Sequence, residues 1–288
     1  MSTPLKLFRY LKDNAIRFAL TRNNGSTVDL GPAPMGRLTG LLESSDPIAE
    51  LNALAGPDAA PLDLTQLQLL PPLEHHEVWA AGVTYLRSRS ARMDESDFSA
   101  SAYERVYDAE RPELFFKSLA QKVVGSGEPV GIRHDARWSV PEPELALVLN
   151  SRGQIVAYTI GNDLSSRDIE GANLLYLPQA KIYSQSCALG PCLVLGSTET
   201  EARTWTISLE ILRRGTSVFS GQTTVSQIKR SFAELSEFLF RCQSFPNGVV
   251  LLTGTGIVPP NDFSLVVGDR VRIAISGIGT LENPVVQV

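Results

Sequence analysis

The sequence predicts an α+β, β-rich protein in which a small N-terminal unit precedes a larger domain. Three observations carry that expectation. Short β-branched or alternating apolar runs far outnumber helical patterns. The helical patterns do not alternate with the strand-like runs, which argues against a doubly wound sheet. Pro57, Pro61, Pro71 and Pro72 punctuate the chain where the first unit would end.

Residues 5–10 and 15–20 read as short strands about a turn at Asp13-Asn14. A second turn follows at Asn23-Asn24-Gly25-Ser26, and residues 47–55 read as a short helix. A linker at residues 69–74 divides a small domain, 1–72, from a larger one, 73–288. In the larger part, strands are expected at 77–82, 144–149, 154–160, 191–195, 205–212, 249–252 and 269–275. Residues 226–240 form the clearest helix, with Ile228, Phe232, Leu235, Leu239 and Phe240 at helical spacing. Residues 165–174 form a second, carrying Arg167 and Glu170.

Bulk properties narrow the function. The 288 residues are 43% hydrophobic and 20% charged, ordinary for a globular enzyme with a sizeable core. Net charge is −5, from 26 basic and 31 acidic residues, which argues against a nucleic-acid partner. No apolar run approaches the roughly 20 residues that span a bilayer, and the N-terminus lacks a signal-peptide core. The expectation is a cytoplasmic protein without a membrane partner. Cys187, Cys192 and Cys242 form no C-x-x-C pair and read as buried free thiols. No P-loop and no G-x-S-x-G elbow is present. Gly125-Ser126-Gly127, followed by Glu128-Pro129, suits a turn. His75 and His76 read as an exposed strand edge. His134 reads as structural, with a base lining the pocket as the alternative. Phe115-Phe116 reads as core or pocket wall.

The most informative stretch runs from residue 139 to residue 163. Asn150-Ser151-Arg152-Gly153 is a turn signal between two strand-like runs. Pairing Leu149 with Gln154 sets Glu144 opposite Thr159 and Glu142 opposite Gly161. Strand alternation then puts Glu142 and Glu144 on one face, with Asp163 emerging at the same end. Three converging carboxylates repel one another and call for a cation. Oxygen ligands without His or Cys favour hard ions, Mg²⁺ first, with Mn²⁺ and Ca²⁺ as alternatives. An E-x-E alone is more often a solvated strand face. The hairpin and Asp163 shift that balance.

The ordered set P-E-P-E-L-A-L-V-L (141–149), I-G-N-D-L-S-S-R-D-I-E (160–170), Q-A-K-I-Y (179–183) and T-G-T-G (253–256) resembles the fumarylacetoacetate hydrolase superfamily, from about residue 77 onward. The resemblance implies a mixed β-sheet roll with a smaller N-terminal domain, assembled as a homodimer or homotetramer. It implies Glu142, Glu144 and Asp163 as metal ligands. It places Tyr85, Ser88, Arg167, Glu170, Gly254 and Thr255 at the substrate site. Two departures stand out. The hydrolases carry N-Y-x-x-H where this chain reads T-Y-L-R-S, so Ser88 holds the position of the water-activating His. Glu170 stands where the family has Gln. R-P-E-L-F-F-K at 111–117 and P-Q-A-K at 178–181 look instead like the family's 2-keto-3-deoxy sugar acid dehydratases. That similarity implies Glu113 and Lys181 as the acid–base pair, in either order.

The implied substrate is a 2-oxo acid, a 2-keto-3-deoxy pentonate of non-phosphorylative pentose breakdown, and the product is 2,5-dioxopentanoate. Its carboxylate and 2-oxo oxygen can chelate an ion that acts as a Lewis acid on C2. Two readings compete: a C–C hydrolase of a 2,4-dioxo acid, and a non-catalytic 2-oxo acid binder. Arg87, Arg89 and Arg92 read either as substrate contacts or as a solvated loop.

Overall fold

The computed structural model describes residues 4–22, 24–56, 59–86 and 105–288. The chain opens with β1 (Leu5–Lys12), β2 (Ala15–Thr21) and β3 (Thr27–Pro32), then α1 (Arg37–Glu43), α2 (Pro47–Leu54) and β4 (Gln68–Leu70). Next come β5 (Glu77–Gly82), β6 (Glu113–Ser118), β7 (Val130–Ile132), β8 (Ser139–Val140), β9 (Pro143–Leu149), β10 (Ile155–Asp163) and β11 (Ser165–Ser166). Two short helices, α3 (Arg167–Ala172) and α4 (Leu177–Lys181), lead to β12 (Cys187–Leu195). The rest comprises α5 (Glu199–Ala202), β13 (Thr206–Arg213), β14 (Thr216–Thr224), α6 (Phe232–Phe240), β15 (Val249–Leu252), β16 (Arg270–Ile275) and β17 (Gly279–Gln287).

One large sheet runs β3-β2-β1-β12-β10-β9-β15-β5-β6, with β4 also on β1. A second runs β14-β13-β16-β17-β7, and β8 pairs with β11. The sheets are mixed: β15 is parallel to β5, and β17 to β7. The first strand bonds directly to β12, so the N-terminal segment extends the large sheet.

All seven residues of β9 are buried, because both faces of that strand are covered. Leu145, Leu147 and Leu149 join Ile207, Leu209 and Ile273 of the second sheet and Phe232, Leu235 and Leu239 of α6. Ala146 and Val148 join Leu38, Leu41, Leu42 and Leu51 of α1 and α2. A strand buried on both sides reads as a continuous apolar run, as β9 does.

Several bounds differ from expectation. The helix foreseen at 226–240 begins only at Phe232. Ser231 accepts a hydrogen bond from the Glu234 amide and caps it, and the residues before it form a separate 3₁₀ turn. The helix foreseen at 165–174 shortens to Arg167–Ala172, since Ser165 and Ser166 pair with β8. The β9–β10 hairpin slips by two residues. Ile155, not Gln154, pairs with Leu149, and a bulge at Val156 shifts the register, so Glu144 lies opposite Gly161. His76 is buried at 1% exposure rather than at an exposed edge, because it packs inside the segment joining β4 to β5. Cys187 and Cys192 are buried free thiols, whereas Cys242 is exposed. No helix among the described residues is long and apolar enough to cross a membrane.

Candidate metal centre

The register slip is by an even number, so it preserves the face on which each side chain stands. It also sets Glu142 directly against Asp163, whose amide donates to the Glu142 carbonyl at 3.0 Å. The Glu142 amide in turn donates to Asn162 Oδ1 at 3.2 Å. Glu142, Glu144 and Asp163 are all buried, at 4%, 2% and 2% exposure. Each offers an oxygen within 4.8 Å of the others. Among the described residues, no nitrogen or sulfur ligand joins this cluster. The set therefore fits a hard divalent ion, and Mg²⁺ foremost.

Among the described residues, three cations stand against these three acids. Lys181 Nζ, at the end of α4, donates to Glu142 Oε2 at 2.5 Å and to Asp163 Oδ2 at 3.2 Å. Arg167 Nε, at the start of α3, lies 3.4 Å from Glu142 Oε1. Lys117 Nζ lies 2.6 Å from Asp163 Oδ1 and also donates to the carbonyls of Leu164 and Lys181, at 3.0 and 2.6 Å.

Lys117 is the residue that sequence reasoning missed. Strand alternation could have found it. Glu113, Phe115 and Lys117 share one face of β6, and Phe115 walls the cavity that holds the three acids.

Burial pushes the Glu144 carboxyl well above the usual carboxylate range, and the neighbouring charges of Asp163 and Glu142 add to it. Burial acts on Asp163 in the same direction, but the ammonium groups of Lys117 and Lys181 outweigh it and hold that carboxyl low. The Gly254 amide donates to Glu144 Oε2 at 2.5 Å. Gly254 has φ of 90°, a conformation that a side chain would strain. A methyl there would also strike Thr84 Oγ1 at 2.1 Å.

Gly82, Val83, Arg167, Lys181, Gly254 and Thr255 line the same cavity. Val83 sits at φ of 52°, which is strained for a β-branched residue and marks a sharp corner after β5. Glu113 faces Gly82 across the β5–β6 ladder. Tyr85 and Glu170 are buried beside the cavity rather than in its wall. The Tyr85 ring packs at Gly256, and burial raises its hydroxyl pKa, with the Glu144 charge adding to the effect. Glu170 Oε2 accepts from Ser165 Oγ at 2.7 Å. Ser88 and the arginines at 87, 89 and 92 lie outside the described residues. His134 is exposed, with Nδ1 3.0 Å from the Val288 carbonyl, and is not among the residues that line the cavity.

Residues 78–286 match the family model described as fumarylacetoacetate (FAA) hydrolase C-terminal. The chain belongs to that family. Among curated proteins it is 47% identical over 217 residues to a probable 2-keto-3-deoxyxylonate dehydratase of Haloferax volcanii, spanning 75% of this chain and 74% of that one. It is 37% identical over 288 residues to the 2-dehydro-3-deoxy-D-arabinonate dehydratase of Saccharolobus solfataricus, spanning 98% and 96%. Among solved structures, 2-keto-3-deoxy-D-arabinonate dehydratase complexed with magnesium and 2,5-dioxopentanoate superposes with a TM-score of 0.83, at 33% identity over 99% of both chains.

Proposed function

We propose that this chain is a Mg²⁺-dependent hydro-lyase that converts a 2-keto-3-deoxy pentonate into 2,5-dioxopentanoate. The observation that carries the proposal is the buried triad of Glu142, Glu144 and Asp163 with the Lys181 ammonium against it. Solved and curated relatives that span almost the whole chain bear dehydratase names.

Glu142, Glu144 and Asp163 would hold the ion. When bound, it supplies a Lewis acid for the 2-oxo carbonyl, which makes the C3 protons removable. The chain's own residues then move two protons. One of Lys181 and Glu113 takes a proton from C3, and the other protonates the hydroxyl leaving C4. Water departs, and the resulting enone rearranges to the 2,5-dioxo acid. Phe115 and the β5 corner wall the cavity.

Hydrolysis of a 2,4-dioxo acid has less support. It needs a water-activating base, and His134 is exposed and is not among the residues that line the cavity. Incubation with Mg²⁺ and each substrate class separates the two reactions. Semialdehyde that appears only with metal supports dehydration. Pyruvate release from an acylpyruvate, with no semialdehyde from the pentonate, would overturn it. K181M should bind Mn²⁺ at least as tightly as the parent, having lost a competing cation, and should not turn over. Normal turnover by K181M would remove Lys181 from the mechanism.

A homodimer or homotetramer in the cytoplasm, with residues 1–72 as an accessory unit to the catalytic 73–288, completes the proposal. Light scattering of the purified chain tests the assembly.

A further inference from the structure

Gly82 ends strand β5 and lines the cavity, yet the backbone does not call for glycine there. Its φ lies outside the left-handed region, so any L-residue could adopt its conformation. Glycine inside a strand weakens it and often marks a close approach. What approaches Gly82 is a carboxylate. A methyl built on Gly82 would lie 1.9 Å from Glu113 Oε2, 2.6 Å from its Cδ and 3.3 Å from its Cγ. Glu113 is the direct partner of Gly82 in the β5–β6 ladder. Its side chain therefore lies flat across the Gly82 Cα.

Two other glycines near the site, Gly161 and Gly254, have different reasons. A methyl on Gly161 would strike Leu252 Cδ2 at 2.2 Å, which is core packing. Gly254 needs its positive φ. Among the three, Gly82 alone makes room for a titratable group.

We propose that Gly82 is a positioning residue: its missing side chain is the seat that lays the Glu113 carboxylate against the cavity wall for proton transfer. The inference rests on the assignment of Glu113 to the acid–base pair. It adds that the seat, and not the presence of Glu113 alone, sets the rate. A carboxylate displaced by an ångström or so loses much of the benefit of orientation.

Alanine at position 82 tests this directly. The methyl meets the far end of a flexible side chain, and φ suits alanine, so the protein folds and the carboxylate moves. G82A should lower kcat by about 10- to 100-fold. Its KM, its thermal midpoint and its affinity for Mn²⁺ alone should stay near the parent values. In an E113Q background the same G82A change should leave the residual rate within about twofold, because the methyl acts only through Glu113.

The outcomes separate cleanly. Parent-like kcat in G82A with a dead E113Q overturns the seat and leaves Glu113 its role. Parent-like kcat in E113Q overturns the role of Glu113 and the seat with it. An equal loss from G82A with and without E113Q overturns the seat as a general steric effect. A G82A protein that fails to fold or to bind Mn²⁺ also overturns it, because the clash would then be with the strand and not with the carboxylate.

Discussion

Asp163 is one carboxylate between two buried ammonium groups. Lys117 is fully buried and meets three oxygens, two of them backbone carbonyls. Those contacts hold its ammonium in place beside Asp163. Lys181 Nζ donates to Glu142 and Asp163 and lies 5.8 Å from the centroid of the Phe115 ring in the cavity wall. Removing one partner of a buried pair leaves an uncompensated charge and typically costs about 3–5 kcal/mol. K117M should lower stability by an amount of that order in urea unfolding, and K117M/D163N should recover much of it. A K117M protein as stable as the parent would refute this account of the pair. Glu144 gives a second expectation. Its folded-state pKa lies above the ordinary 4.5, so the folded metal-free protein keeps a proton that the unfolded chain releases. The stability this provides is present below that value and is lost as pH rises through the folded pKa. Metal binding needs the ionised form and expels the proton, so the Mg²⁺-dependent gain in thermal midpoint should grow with pH. E144Q should lose that growth. A gain independent of pH in the parent would count against the site.

Among elements, the β9–β10 hairpin shows what the sequence makes legible and what it hides. The turn residues, both strands and the shared face of Glu142 and Glu144 follow from composition and alternation. The two-residue slip does not, because a bulge at Val156 is a tertiary accommodation with no glycine or proline to announce it. The convergence survived because an even slip leaves the faces unchanged. Arg167 and Lys181 entered the site through resemblance, since no local spacing relates them to strands far away in sequence. Lys117 was legible from alternation, but only once Phe115 was known to face the cavity. The last long helix carried its own start signal, Ser231 followed three residues later by Glu234, and apolar periodicity that continues upstream masked it. Ser231→Ala should therefore cost about 1 kcal/mol of stability and leave kcat unchanged. An unaltered urea midpoint would show that this cap contributes nothing.

The whole molecule is tied together by cores that the first strands share with the rest of the chain. Leu5, Leu7, Phe18 and Leu20 pack with Val78, Ala146, Leu193 and Val250, while Phe8 and Tyr10 join the cluster on the other face of the sheet. Unfolding should therefore be one cooperative event that reports on the segment joining the two parts. His76 lies in that segment. Its Nδ1 accepts the Glu74 amide, and burial pushes its pKa down from 6.5 to about 4, with the Glu74 charge opposing that shift only in part. The folded state refuses a proton that the unfolded chain accepts, so stability falls as pH drops from 6.5 towards 4. At one proton over that window, the full loss amounts to about 3 kcal/mol. His76→Gln cannot take up that proton. Its urea midpoint should change less between pH 7 and pH 4 than the parent's, whatever the carboxylates contribute to both. Parallel curves for the two proteins would mean that His76 is protonated in the fold and that the joining segment opens to water.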